Sequence, residues 1–233
     1  MRVVYLSTRL IVCKRLYREK CAMRKAVIKV CGMRDPSNIA KVGACLPNYM
    51  GFIFVPESPR FCGPRLERAT LELLPASVKT IGVFRNAELD EVVRIVNDLG
   101  LHGAQLHGEE DHSYIEMLRK KMPTRVLFKA VAVRDVMDLE ALDGEEPLID
   151  SYIFDSARAG SGEAFEWGIL AHYRGTRPYF LAGGIGLHNL GSAQEVQQWC
   201  PQLQGFDLNS KFEDAPGIKN VALVRKAIDM VTL

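Results

Sequence analysis

Tyr49-Met50-Gly51-Phe52-Ile53-Phe54-Val55 is apolar along its whole length, with no polar residue at alternate positions. A strand with one wet face would alternate. A near-continuous run such as Phe52–Val55 suits a parallel sheet covered on both faces. Seven further stretches resemble it: Ala26–Val30, Lys79–Phe84, Gly103–Leu106, Arg125–Val131, Ser151–Phe154, Pro178–Leu181 and Gly205–Leu208. Their starts lie 22 to 30 residues apart, which leaves room for one helix and two short loops per step.

The segments between them carry helix signals. Asp35-Pro36 sets a capping side chain before a proline at the first helical position. Ala87–Leu99 bears Leu89, Val92, Val93, Val96 and Leu99 at helical spacing and ends on Gly100. Asp111–Lys121 and Ile218–Val231 read the same way. Eight βα units in a chain of 233 residues predict an α/β protein with a single (βα)8 TIM barrel. An open doubly wound sheet is the competing topology, but no GxGxxG follows the first strand.

Charge is unevenly spread. Residues 1–22 carry six of the 30 Lys and Arg but one of the 28 Asp and Glu, so residues 23–233 hold 24 bases against 27 acids. The body is slightly acidic, and no nucleic-acid partner is expected. The basic extension 1–22 is read as disordered or as translated from an upstream start, with the barrel occupying 23–233 and Met23 the true beginning. An organellar transit peptide and a secretory signal are the other readings. No apolar run reaches about 18 residues, so no membrane span is expected. Six cysteines without CxxC spacing argue against a zinc site or a disulfide scaffold. They fit free thiols in a cytoplasmic protein.

Barrel active sites form where the strands end, so the residues to examine are those that stop each apolar run. After the seventh and eighth strands come Gly183-Gly184 and Asn209-Ser210. They suit a phosphate cradle of close backbone and polar donors, or merely a tight turn. Gly160, in Ala159-Gly160-Ser161-Gly162, lies either in a phosphate cover or in a flexible connection. Cys31 and Asp155 are candidates for acid–base work, since an enolisation needs a base at carbon and an acid at oxygen. A buried apolar cysteine and a capping aspartate are the competing readings. His107 is a third group of the site or a hydrogen-bonded structural histidine. Arg60 holds a carboxylate or lies on the surface. No cluster has metal-ligand spacing, and neither a metal nor another cofactor is expected.

Together these strand ends resemble the phosphoribosylanthranilate isomerases of tryptophan biosynthesis. The matching stretches begin with Lys29-Val30-Cys31-Gly32-Met33, Gly51-Phe52-Ile53-Phe54 with Ser58-Pro59-Arg60, and Gly82-Val83-Phe84. Gln105-Leu106-His107-Gly108, Phe154-Asp155, Gly160-Ser161-Gly162 and Phe165-Glu166-Trp167 follow. Leu181-Ala182-Gly183-Gly184-Ile185, Phe206-Asp207-Leu208-Asn209-Ser210 and Ala215-Pro216-Gly217 complete the set. The resemblance implies an Amadori rearrangement of a phosphoribosylated anthranilate, an aldose–ketose isomerisation. Asp155 would be general acid and Cys31 general base, and Arg60 would pair with the anthranilate carboxylate. Gln105, His107, Gly160, Gly183, Gly184, Asn209 and Ser210 would line the substrate site.

The partner implied is a small phosphorylated molecule, with the protein a monomer or homodimer. Asn209 and Lys211 stand where a small Ser and Gly are commoner, and Ala159 and Glu163 depart from the usual strand-six loop. The rival histidine-pathway isomerase uses an aspartate where Cys31 stands. A lyase of this fold would need a lysine inside the barrel, which draws attention to Lys29 and Lys129. A catalytically dead scaffold has no reason to keep both Cys31 and Asp155.

Overall fold

A computed structural model describes residues 25–140, 142, 146–156 and 166–232. The extension 1–22 and Gly160 lie outside the described residues. Eight parallel strands close into a barrel in chain order. They are β1 (Val27–Val30), β2 (Tyr49–Ile53), β3 (Lys79–Phe84), β4 (Gly103–Leu106), β5 (Val126–Val133), β6 (Ser151–Ser156), β7 (Tyr179–Leu181) and β8 (Leu203–Leu208). The expected α/β barrel is therefore the fold, and closure removes both sheet edges.

Each strand presents alternate residues inward. The barrel floor is a small cluster of Ile81, Phe128, Ala130, Ile153, Phe180 and Ala182, with Tyr49 edge-on to Phe128 and Phe180. A larger cluster fills the layer between strands and helices, with Met50, Phe52, Phe84, Phe154 and Phe206 facing out into it. Two inner–outer layers explain why the strands read as continuously apolar.

The outer helices are α1 (Pro36–Gly43), α2 (Arg68–Glu72), α3 (Leu89–Asp98), α4 (His112–Lys121), α5 (Val136–Glu140), α6 (Leu190–Val196) and α7 (Val221–Thr232). Asp35 caps α1 by accepting the Asn38 amide at 2.7 Å, with Pro36 opening the helix, as the sequence predicts. Asp111 caps α4 through the Tyr114 amide at 2.8 Å. Among the described residues, the β6–β7 connection carries a 3-10 segment, Trp167–His172, where the pattern predicts an α-helix.

The last helix starts later than its apolar periodicity suggests. Ile218–Lys219 forms β10, paired antiparallel with β9 (Glu213–Ala215). The cause is a side chain: Asn38 donates to the Lys219 carbonyl and accepts the Lys219 amide, both at 2.8 Å. These bonds satisfy backbone groups that a helix would otherwise use, and they pin the end of the β8 loop to α1. Asn38→Ala is expected to cost about 2–4 kcal/mol, because two buried backbone groups lose their partners. Urea unfolding with an unchanged m value reads this directly.

Candidate active site

The inward alternation carries on past the apolar floor and ends four of the strands in a pair of residues two positions apart, the last of which is polar or nucleophilic. On β1 the pair is Lys29 and Cys31; on β4 and its loop, Gln105 and His107; on β6, Ile153 and Asp155; on β8 and its loop, Asp207 and Asn209. Cys31 is 5% exposed and Lys29 is fully enclosed.

Burial raises the Cys31 thiol above its ordinary 9.0, while Lys29 pulls it down, Asp207 raises it and Lys219 again lowers it. The Lys29 ammonium donates to Asp207 Oδ2 at 2.8 Å, a contact fixed by the β1–β8 register that sets the two residues side by side. Burial and the Asp207 charge together push the Asp155 carboxyl up to about 6, against the Ser156 amide, which donates to Oδ1 at 2.8 Å, and the Lys29 charge.

Asp155 stands three strands from Cys31 around the ring, with Asp207 on β8 between them. Its Oδ2 lies 3.8 Å from His107 Nε2. Desolvation takes His107 down to about 4, so the ring is neutral at physiological pH and this contact is not an ion pair. The Gln105 amide hydrogen-bonds His107 Nδ1 at 3.2 Å, which orients the ring so that Nε2 faces the carboxyl. His107 is thus hydrogen-bonded as a structural histidine would be, and its other nitrogen faces the Asp155 carboxyl.

Two glycines leave space that the site uses. A Cβ on Gly51 of β2 would sit 2.8 Å from Cys31 Sγ and 3.2 Å from Lys29 Nζ. Gly183, at φ 74°, would press its Cβ to 2.7 Å from Asp155 Oδ1 and 2.6 Å from the Ser156 amide nitrogen. Gly183 thus shapes the space around the carboxyl as well as the turn after β7. Gly51→Ala is expected to lower kcat about 10²-fold while the barrel still folds, since a displacement near 1 Å at the reacting groups costs that much. Circular dichroism beside steady-state kinetics tests it.

The strand-seven and strand-eight loops meet: the missing side chain of Gly186 faces Lys211 Cβ at 3.3 Å. Asn189 closes the first loop by donating to the Gly184 carbonyl at 3.0 Å and accepting the Gly186 amide at 2.8 Å. Asn209 turns its Oδ1 toward Gly32, just past the first strand, and that oxygen accepts Nζ of Lys219 on β10 at 2.7 Å. Ser210 opens the short 3-10 turn Ser210–Phe212 beside it.

Arg60 is not a surface residue. Its Nε and Nη2 donate to both carboxylate oxygens of Glu213 at 2.7–3.1 Å, and its side chain is 17% exposed. Glu213 also accepts Lys219 Nζ at 2.6 Å. Lys129, the other barrel lysine, is engaged by Glu110 at 2.9 Å and the Gly108 carbonyl at 2.8 Å, which fixes the loop bearing His107.

Sequence reasoning gave no role to Asp207, Glu213, Lys219 or Gly51. The available signal was a charge inside an apolar strand, Phe206-Asp207-Leu208 opposite Ile28-Lys29-Val30. A charge there is retained only with a partner. No group of three or more His, Cys, Asp or Glu among the described residues could hold a metal ion. No helix among them is long and apolar enough to cross a membrane.

The family model described as N-(5'-phosphoribosyl)anthranilate (PRA) isomerase matches residues 28–230. The N-(5'-phosphoribosyl)anthranilate isomerase of Phocaeicola vulgatus is 36% identical over 88% of this chain and 97% of its own length. That of Nostoc punctiforme is 34% identical over 87% and 96%. The solved phosphoribosyl anthranilate isomerase of Thermus thermophilus superposes with a TM-score of 0.76 at 30% identity, over 87% of this chain and 96% of that one. A phosphoribosyl anthranilate isomerase solved with reduced 1-(o-carboxyphenylamino)-1-deoxyribulose 5-phosphate gives 0.74 at 27% identity, over 88% and 97%. A closed barrel bearing this arrangement of strand ends, matched over nearly all of its length, places the chain in the N-(5'-phosphoribosyl)anthranilate isomerase family, the isomerases of tryptophan biosynthesis.

Proposed function

We propose that this chain converts N-(5'-phosphoribosyl)anthranilate to 1-(2-carboxyphenylamino)-1-deoxyribulose 5-phosphate by general acid–base catalysis. The observation that carries the reading is a carboxyl group, Asp155, kept protonated to about pH 6 in the same barrel mouth as the Cys31 thiol. Asp155 gives its proton to the furanose ring oxygen. The C1'–O bond breaks as the anilino nitrogen forms the C1'=N bond. Ionised Cys31 then takes the C2' proton, and that electron pair forms the C1'=C2' bond of an enolamine. Loss of the enol proton and protonation at C1' give the ketone. Each proton removed is returned, so no redox partner is needed.

Gly183, Gly184, Asn209 and Ser210 bring two strand-end loops together where a phosphate would bind, in line with a recurrent site of this fold. Asn209 contributes through its backbone and side-chain nitrogen, since Lys219 occupies its side-chain oxygen. Arg60 meets the anthranilate carboxylate beside Glu213. Arg60→Lys is expected to raise KM about tenfold with a smaller change in kcat, because an ammonium cannot serve two carboxylates in the same plane.

The test is loss of the substrate's fluorescence on adding the full chain in the presence of a chelator. Turnover that disappears in Cys31→Ala and Asp155→Asn supports the reading. A folded protein that leaves the substrate unchanged refutes it.

A further inference from the structure

Resting on the reading of Cys31 as the base, we propose that Lys29 is a positioning residue for the proton abstraction. Its ammonium stabilises the thiolate form of Cys31 over what burial alone would allow, and is shared with Asp207. Lys29 is wholly enclosed in the middle of β1, where an apolar residue would cost less than a charge. A buried ion pair is a poor device for stability, so its presence calls for another account.

The geometry supplies one. Lys29 and Cys31 are two residues apart and face the same interior, and both crowd the side-chain space that Gly51 leaves vacant, Sγ at 2.8 Å and Nζ at 3.2 Å from that point. Asp207 holds the ammonium from the neighbouring strand at 2.8 Å through Oδ2. Its Oδ1 is buried without a hydrogen-bond partner among the described residues. The ammonium therefore stands between two acceptors, a carboxylate and a sulfur.

The other titratable groups that bear on the sulfur are Lys219, on the strand before α7, and Cys62, in the loop after β2. Lys29 also bears on Asp155 and His107, so one cation acts on the groups around the whole mouth. In the step itself the C2'–H bond breaks and the S–H bond forms. Lys29 keeps its proton throughout, and Asp207 stays ionised.

Asp207 and Cys31 compete for one cation, so removing each partner should move the thiol in opposite directions. The thiolate is followed by its far-ultraviolet absorbance against pH, in the full chain, with Cys31→Ser in each background as the blank. The charge-neutral double variant Lys29→Met/Asp207→Asn avoids leaving a lone buried carboxylate. Its thiolate midpoint should rise by about one pH unit or more, with kcat at neutral pH falling about tenfold per unit and KM nearly unchanged. Asp207→Asn alone should move the midpoint down.

An unmoved midpoint in a natively folded double variant, beside an inactive Cys31→Ser, overturns the role of Lys29 and leaves the base reading intact. Undiminished turnover by Cys31→Ser overturns the base reading itself, whatever the titration gives. A purely structural role would lower stability in both variants without the opposite shifts.

Discussion

Asp155→Asn lowers kcat by about 10³-fold and changes the shape of the pH–rate profile, within the span expected for a positioned general acid. In the proposed mechanism the working form has Asp155 protonated and Cys31 ionised. The carboxyl loses its proton near 6 and the thiol above 9.0, so that form is the minority arrangement of a single proton. Between the two values, thiolate gained with rising pH offsets acid lost, and the wild-type rate is flat. Below about 6 the acid is already fully protonated, and the rate falls tenfold for each unit of pH as thiolate disappears.

In Asp155→Asn the first limb has no origin. The residual rate should instead climb with pH across the neutral range, following the thiolate alone. A residual rate that stays flat across the neutral range would remove Asp155 from the acid's place.

The same substitution should stabilise the fold. The native carboxyl titrates near 6 rather than at its ordinary 3.8, so its contribution is intact below 3.8 and is lost as the pH rises through 6. At neutral pH the penalty is about 3 kcal/mol, by the usual 1.36 kcal/mol per unit. An aspartate retained as a turn or capping residue would behave oppositely, and its loss would destabilise. Chemical unfolding at pH 7 therefore separates a functional carboxyl from a structural one, independently of any assay of turnover.

The ring of strands was legible because every one is buried on two faces, which leaves an apolar run too dense for an open antiparallel sheet. The strand ends were legible for the same reason: Cys31, His107 and Asp155 are where those runs stop. What one sequence could not give is which ends touch. Lys29 and Asp207 are 178 positions apart, and only closure of β8 on β1 makes them neighbours. Glu213 lay in a short polar stretch with no periodicity to direct attention to it, yet it takes the Arg60 face that was expected to await a ligand carboxylate. Ile218–Lys219 carries the apolar spacing of the following helix, and the Asn38 hydrogen bonds that hold it as a strand come from α1, far along the chain. Local pattern thus fixes the elements, while long-range polar pairs decide their ends.

Cys31→Ala is expected to lower kcat by about 10³-fold with KM within a few-fold of wild type, since the proposed mechanism gives the thiol the C2' proton and no part in holding phosphate or carboxylate. The competing account makes Cys31 a small apolar residue, 5% exposed, whose role is to fill space. Three replacements set the accounts apart. A space-filling residue tolerates Ala and Ser, which are close in volume, and suffers most from Asp, because a carboxylate would be buried beside Asp207. A base is lost equally in Ala and Ser, the serine hydroxyl being far too weakly acidic to ionise, whereas Asp restores an ionisable group with Lys29 at hand to pair it. The expected order of kcat is therefore wild type first, Cys31→Asp second, and Cys31→Ala and Cys31→Ser together at the bottom. Solvent deuterium gives a second reading. If the abstraction at C2' is what fails, substrate recovered from the alanine variant should show no solvent-derived label there, even after long incubation. Activity in Cys31→Ala and Cys31→Ser above that of Cys31→Asp would assign the cysteine to packing and require another base at the barrel mouth.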